Sequence, residues 1–188
     1  MKFSRTKIPE VIVGEPEVYK DARGAFYETF RQQAWEEITG QPLNFCQDNE
    51  STSSYGVLRG LHFQAVPHAQ AKVVRVVMGK ILDVAVDLRK DSATFGQHVK
   101  MELSSENKKQ MFIPKGFAHG FVVLSASATV AYKVDNYYNP DAEKGIRFDD
   151  PKLNIDWNLP KNTIQISPKD AEWGGSEEIA AFKNVSDD

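Results

Sequence analysis

The stretch KVVRVVMGKILDVAVDL, Lys72 to Leu88, is dominated by β-branched residues and broken once, at Met78-Gly79-Lys80. Valine crowds a helix and suits a pleated strand, so each half reads as a strand and the glycine as the break between them. Beyond the break, Leu82, Val84, Val86 and Leu88 share one face by the two-residue period, and Asp83, Ala85 and Asp87 share the other. The second face is too acidic for solid core. Base rates assign it to solvent, the alternative being the lining of a polar cavity.

Similar runs recur along the chain, in EPEVYKDARGAFYETF (15–30), QHVKMELS (97–104), KQMFIPKGFAHGFVVL (109–124) and ATVAYKVDNYY (128–138). Short strands at close spacing, separated by Gly, Pro, Asn and Asp, predict an all-β sandwich or barrel. Helices are expected only as accessories. RQQAWEEITG (31–40) has good helix formers closed by a glycine, and SEEIAAFKNV (176–185) opens with a serine cap and early glutamates. The turn-rich segment NPDAEKGIRFDDPKLNIDWNLP (139–160) carries Pro151 and Pro160 and is expected to wrap the β-core as an irregular connection.

At 188 residues and 41% hydrophobic content, the chain is long enough for one sizeable core, and one domain over 1–188 is expected. A net charge of −3 without a Lys/Arg block argues against nucleic acid or an acidic membrane surface as partner. MKFSRTKIPE lacks an apolar signal core and no window reaches a membrane-spanning length, so a cytoplasmic location is expected. Cys46, the sole cysteine, excludes an internal disulfide and reads as an inert thiol.

Four histidines carry most of the chemical interest: His62, His68, His98 and His119. His62 follows Arg59 in GVLRGLHFQ (56–64), and His119 ends PKGFAH after a proline and glycine turn. Singly, each reads as a strand-end hydrogen bonder. A metal site would want a second histidine two residues on and a nearby carboxylate, but Gln64 stands there and the next strand supplies Lys72 and Arg75. These charges disfavour a bound metal ion. Alone, Lys72 would be an edge charge, Tyr132 a core aromatic and Asp170 a turn acid.

Taken together, VLRGLHFQ, AKVVRVVMGKILDVAVDLRKDSATFGQ, MFIPKGFAHGFVVLS and YKVDNYYNPDAEKGIRFDDPKLNIDW closely resemble blocks of the dTDP-4-dehydrorhamnose 3,5-epimerases, over nearly the whole chain from KDARGAFYETF to SPKD. The resemblance implies a cupin-type jelly-roll barrel, a metal-independent epimerisation at C3 and C5 of a dTDP-4-dehydro-6-deoxy sugar, and no redox cofactor. It puts the general base on His62 supported by Asp170, the general acid on Tyr132, and a cation near the sugar carbonyl on Lys72, with Asp83 positioned to orient it. It puts substrate contacts on Arg23, Glu28, Gln47, Asn49, Arg59, His119, Glu143 and Lys169, and base stacking on Tyr138. It also implies a homodimer with exchanged N-terminal strands, in which Arg23 and Glu28 complete the partner's site. The rival expectations are a 3- or 5-only epimerase and a non-catalytic sugar-nucleotide-binding cupin.

Overall fold

The computed structural model describes residues 1–177, so the helix expected in SEEIAAFKNV lies outside the described residues apart from its first two. Thirteen strands are formed: β1 (Lys2–Arg5), β2 (Ile12–Glu15), β3 (Tyr19–Asp21), β4 (Gly24–Phe26), β5 (Gln47–Ser54), β6 (Leu58–Gln64), β7 (Lys72–Met78), β8 (Lys80–Asp87), β9 (His98–Ser104), β10 (Gln110–Ile113), β11 (Phe117–Val123), β12 (Ser127–Val134) and β13 (Glu143–Gly145). Helix α1 (Gln32–Thr39) matches expectation and stops at Gly40, which turns left-handed at φ 73°. Helix α2 (Pro168–Ala171) is a single turn.

Six strands form one sheet in the order β1-β2-β10-β7-β12-β5, and five form the other in the order β13-β6-β11-β8-β9. This is a cupin-type β-sandwich. The break at Gly79 (φ 78°) does more than separate two strands: it sends the chain from one sheet to the other. Val74, Val76, Met111 and Val130 of the first sheet meet Ile81, Ala85, Leu103 and Phe121 of the second in a shared interior cluster.

The alternation read in β8 holds; the solvent reading that base rates favour fails, and the acidic face is turned inward, as the resemblance implies in giving Asp83 a place beside Lys72. Asp83 and Asp87 are wholly buried and lie on the face that carries Ile81 and Ala85 into the interior. Leu82, Val84 and Val86 point outward, where Leu61 and Phe63 of β6 and Ile146, Leu153 and Trp157 of the wrapping connection cover them. That connection is therefore a second hydrophobic layer. It is also less irregular than expected, because β13 within it pairs with β6, Gly145 opposite His62.

One irregularity positions the site. Along β6 against β11, His62 pairs with His119 and Arg59 with Phe121, so β6 uses three steps where β11 uses two. Strict alternation would point residues 59 and 62 to opposite faces; the extra residue turns both the same way. The bulge needs glycines. Gly60 has φ 126°, and a Cβ built on it would lie 2.5 Å from Gly120 Cα.

Gly60→Ala combines backbone strain with this collision and is expected to destabilise the fold by about 2–4 kcal/mol. Gly24→Ala, at φ 135° with nothing within 4 Å of its Cβ, supplies the comparison for strain alone. Urea unfolding of both variants checks this; equal midpoints would show that the Gly60–Gly120 approach costs nothing.

Candidate active site

The bulge brings Arg59 and His62 onto a cavity of about 500 Å³ whose other walls include Lys72, His119, Tyr132 and Asp170. A second cavity of about 260 Å³ adjoins it, lined by Gln47, Asn49, Gln64, Tyr138 and Glu143. His62, Lys72 and Tyr132 line both, so they stand where the two compartments meet. A larger groove of about 920 Å³ elsewhere holds none of the sequence-predicted residues. Its charges are largely satisfied within the chain, Arg89 by Glu10 and Asp87, and Lys115 by Asp135.

His62 Nε2 lies 2.7 Å from Asp170 Oδ1. Burial pushes the Asp170 carboxyl up, but the imidazole hydrogen bond and charge, with the Gly60 and Ser167 bonds, outweigh it and hold the group below the ordinary range. An ionised carboxylate only accepts, so Nε2 is the protonated nitrogen and Nδ1 is left as the basic one. Asp170 Oδ2 also accepts from the Gly60 N–H at 3.4 Å, tying the carboxylate to the bulge. The acid is delivered by α2, where Ser167 Oγ accepts from the Asp170 N–H at 3.0 Å.

A second imidazole–carboxylate pair stands on the neighbouring strands: His119 Nε2 is 2.7 Å from Asp83 Oδ1, both buried. Burial drives the His119 imidazole below its ordinary value, with Asp83 opposing and Lys72 and His62 adding to the effect. Among the described residues Asp83 Oδ2 has no hydrogen-bond partner. The structure thus gives Asp83 a direct bond to His119, while toward Lys72 it acts through charge.

Lys72 begins β7, and partial enclosure lowers its ammonium to about 8; Asp83 and Glu143 oppose that fall through charge alone. Its Nζ sits 5.8 Å from the centroid of the Tyr132 ring. Burial raises the Tyr132 phenol above its ordinary value, Arg59 countering in part, so it stays protonated at neutral pH. Arg59 donates through Nε to Ser53 Oγ at 3.0 Å. Burial pushes Glu143 up, yet bonds from Lys169 and from the Tyr138 hydroxyl, each at 2.5 Å, hold it below the ordinary range. Gln47 bonds Asn49 at 2.8 Å and accepts from the Tyr138 N–H at 3.1 Å.

Arg23 and Glu28 are not brought to this cleft. They lie in and just beyond the exposed β3–β4 hairpin, paired with Asp21 and Arg31. Gln64 is committed to structure: its amide donates to the carbonyls of His68 and Tyr137 and accepts from the Asn139 N–H. Among the described residues no group of three His, Cys, Asp or Glu side chains is arranged to hold a metal. Sequence reading did not single out Ser51, Ser53 or Gln70. The signal for the serines was present, since Gln47, Asn49, Ser51 and Ser53 alternate along β5 and so share one face.

Residues 5–178 match the family described as dTDP-4-dehydrorhamnose 3,5-epimerase. The chain belongs to that family. It is 48% identical over 186 residues to the dTDP-4-dehydrorhamnose 3,5-epimerase of Escherichia coli K12, covering 99% of this chain and all of that one. The crystal structure of the Legionella pneumophila 3,5-epimerase in complex with dTDP-4-keto-L-rhamnose is 47% identical, with a TM-score of 0.92 over 98% of this chain and 99% of that one. A 3′-monoepimerase from Streptomyces bikiniensis in complex with dTDP-quinovose is 30% identical, with a TM-score of 0.84 over 92% and 87%.

The enclosure of Lys72 has a measurable consequence. Its amine is expected to titrate near pH 8, whereas ordinary lysines titrate near 10.5. The unfolded chain then binds this proton more tightly, so between about pH 8 and 10.5 the group makes stability rise with pH. Carbon NMR of isotopically methylated lysines, with Lys72→Met for assignment, reads the titration directly. A Lys72 signal moving with the exposed lysines would contradict the enclosure.

Proposed function

We propose that the chain acts as a dTDP-4-dehydrorhamnose 3,5-epimerase, converting dTDP-4-dehydro-6-deoxy-D-glucose to dTDP-4-dehydro-L-rhamnose. The observation that carries this reading is the meeting of three groups at the junction of the two cavities: the Asp170-supported imidazole, the enclosed ammonium of Lys72 and the phenol of Tyr132. A non-catalytic binding module has no use for a base and an acid in one cleft.

The reaction follows from the chemistry of a carbon beside a ketone. His62 Nδ1 takes the C–H proton, and the electron pair moves into the C4 carbonyl to give an enolate. Lys72 faces that oxygen; one preorganised donor of this kind is worth roughly a hundred- to thousandfold in rate. Tyr132 returns a proton to the opposite face of the carbon; its phenolate is then reprotonated from solvent, and the His62 imidazolium gives its proton up to solvent. C3 and C5 both flank the ketone, so one set of groups serves both, and no electrons leave the substrate.

Arg59 suits the diphosphate, because a guanidinium makes forked charge-assisted bonds. His119, Gln47, Asn49, Glu143 and Lys169 surround the remainder of the nucleotide sugar, and Tyr138, 52% exposed, supplies a ring for the base. Arg23 and Glu28 act across a homodimer, a reading supported by their distance from the chain's own cleft and by exposed Tyr19 and Phe26 on the same hairpin. The whole chain works as one domain in the cytoplasm; no helix among the described residues is long and apolar enough to cross a membrane.

In deuterated water, His62→Ala is expected to abolish both epimerisation and label uptake at C3 and C5, since no enolate forms. Tyr132→Phe keeps the base and Lys72, so label enters with little inversion while turnover falls by roughly a hundred- to ten-thousandfold. NMR of the recovered sugar decides. Exchange in His62→Ala but not in Tyr132→Phe would reverse the two roles, and label at C3 alone in the wild type would make the chain a monoepimerase.

Activity is also expected to survive exhaustive chelation, because Gln64 is engaged by backbone groups and the cavity that His62 lines is also lined by Arg59, Lys72 and Lys169. Loss on chelation with recovery on added zinc or iron would overturn the metal-independent reading.

A further inference from the structure

Asp170 reaches His62 from α2, and a one-turn helix has no stability of its own. Something must fix it over β6. Its N-terminal end is held by the Ser167 cap. Just beyond its C-terminal end stands Trp173, whose indole lies on β13 where Gly145 has no side chain; a Cβ built at 145 would strike the indole ring. The next residue is pinned as well, since the Gly174 carbonyl accepts from the Arg147 N–H at 2.9 Å. Gly145 pairs in register with His62, so the indole sits beside the imidazole, ring centroids 6.4 Å apart and edge to face. Lys169 Nζ lies 5.9 Å from the indole centroid. Among the described residues Trp173 Nε1 is buried without a hydrogen-bond partner, and what holds the ring there is packing against β13.

We propose that Trp173, seated over Gly145, is a positioning residue that clamps the Asp170 turn against His62 and keeps water from behind that pair. The inference rests on the reading of His62 as the base. It adds that the base works only while this indole occupies the ground left by Gly145. Gly145 is the internal check: it carries no functional group and its backbone accepts alanine, so Gly145→Ala alters the site only by displacing the indole.

The experiment measures kcat, KM and dTDP affinity for Trp173→Ala, Trp173→Phe and Gly145→Ala. Displacing a catalytic pair by about 1 Å can cost on the order of a hundredfold. Trp173→Ala and Gly145→Ala are therefore expected to lower kcat by roughly ten- to a hundredfold. KM and calorimetric dTDP affinity should stay within about threefold, because Arg59, Gln47 and Asn49 stand on β5 and β6 and are held by bonds that do not involve α2. Trp173→Phe keeps an aromatic ring and is expected to restore most of kcat. Wild-type kcat in both Trp173→Ala and Gly145→Ala, or equal loss in Phe and Ala variants, overturns the proposal. Circular dichroism identifies misfolded protein, in which case Trp173→Leu, apolar but lacking the ring, is read in place of alanine. Failure of the base reading shows up separately, as label uptake in His62→Ala.

Discussion

The site depends on one extra residue in β6. A strand's side chains alternate, so two residues three apart cannot face the same cavity while the pairing stays regular. The bulge at Gly60 removes that obstacle, and Arg59 and His62 then line one cleft. Gly120 on the facing strand leaves room for it. Asp170 consolidates the arrangement, since a single carboxylate holds both the Gly60 N–H and the His62 imidazole. The bulge, the His62 imidazole and the Asp170 carboxylate are thus one mechanical unit.

The interior of the sandwich contains two buried acids on the same face of β8, and their environments separate structure from chemistry. Asp87 is engaged by Arg89, Ser92 and Thr94, which together occupy both its oxygens, and these bonds outweigh burial to hold its carboxyl low. It stabilises the turn that follows β8. Asp83, four residues earlier, has one oxygen on His119 and the other unpartnered. A buried unpaired oxygen costs stability and is kept only where something else compensates. The charge of nearby Lys72 is such a compensation, and it links the second imidazole pair to the cation of the cleft.

Much of this could be read in the sequence, and the failures have physical causes. The β-branched runs, the break at Gly79 and the stop of α1 at Gly40 are local signals, and local structure obeyed them. The two faces of β8 were divided correctly, but composition assigned the acidic one to solvent. The strand is in fact buried on both sides, because residues 146–157 lay Ile146, Leu153 and Trp157 over its apolar face. No pattern within β8 reveals a covering that comes from sixty residues downstream. The His62–Asp170 pair spans 108 positions and entered only through resemblance to a family. Trp173 and Gly145 each look ordinary in sequence; their relation exists only once β13 pairs with β6.

In the proposed reaction the strength of Lys72 as an electrophile depends on what its neighbours are doing. A lysine locked in an ion pair has little field left for a developing enolate, whereas an enclosed unpaired ammonium loses its proton too readily. The structure lies between these limits. Asp170 is taken by His62 and Gly60, Glu143 by Lys169 and Tyr138, and Asp83 has a direct bond only to His119. Each carboxylate therefore has a prior partner, and those of Asp83 and Glu143 hold the Lys72 proton through charge without closing on it. The resulting value of about 8 leaves the ammonium mostly charged at neutral pH and still directed at the cavity. Any change that frees one of these carboxylates, such as loss of Lys169 from Glu143, would let it approach Lys72 and weaken catalysis without touching the base or the acid.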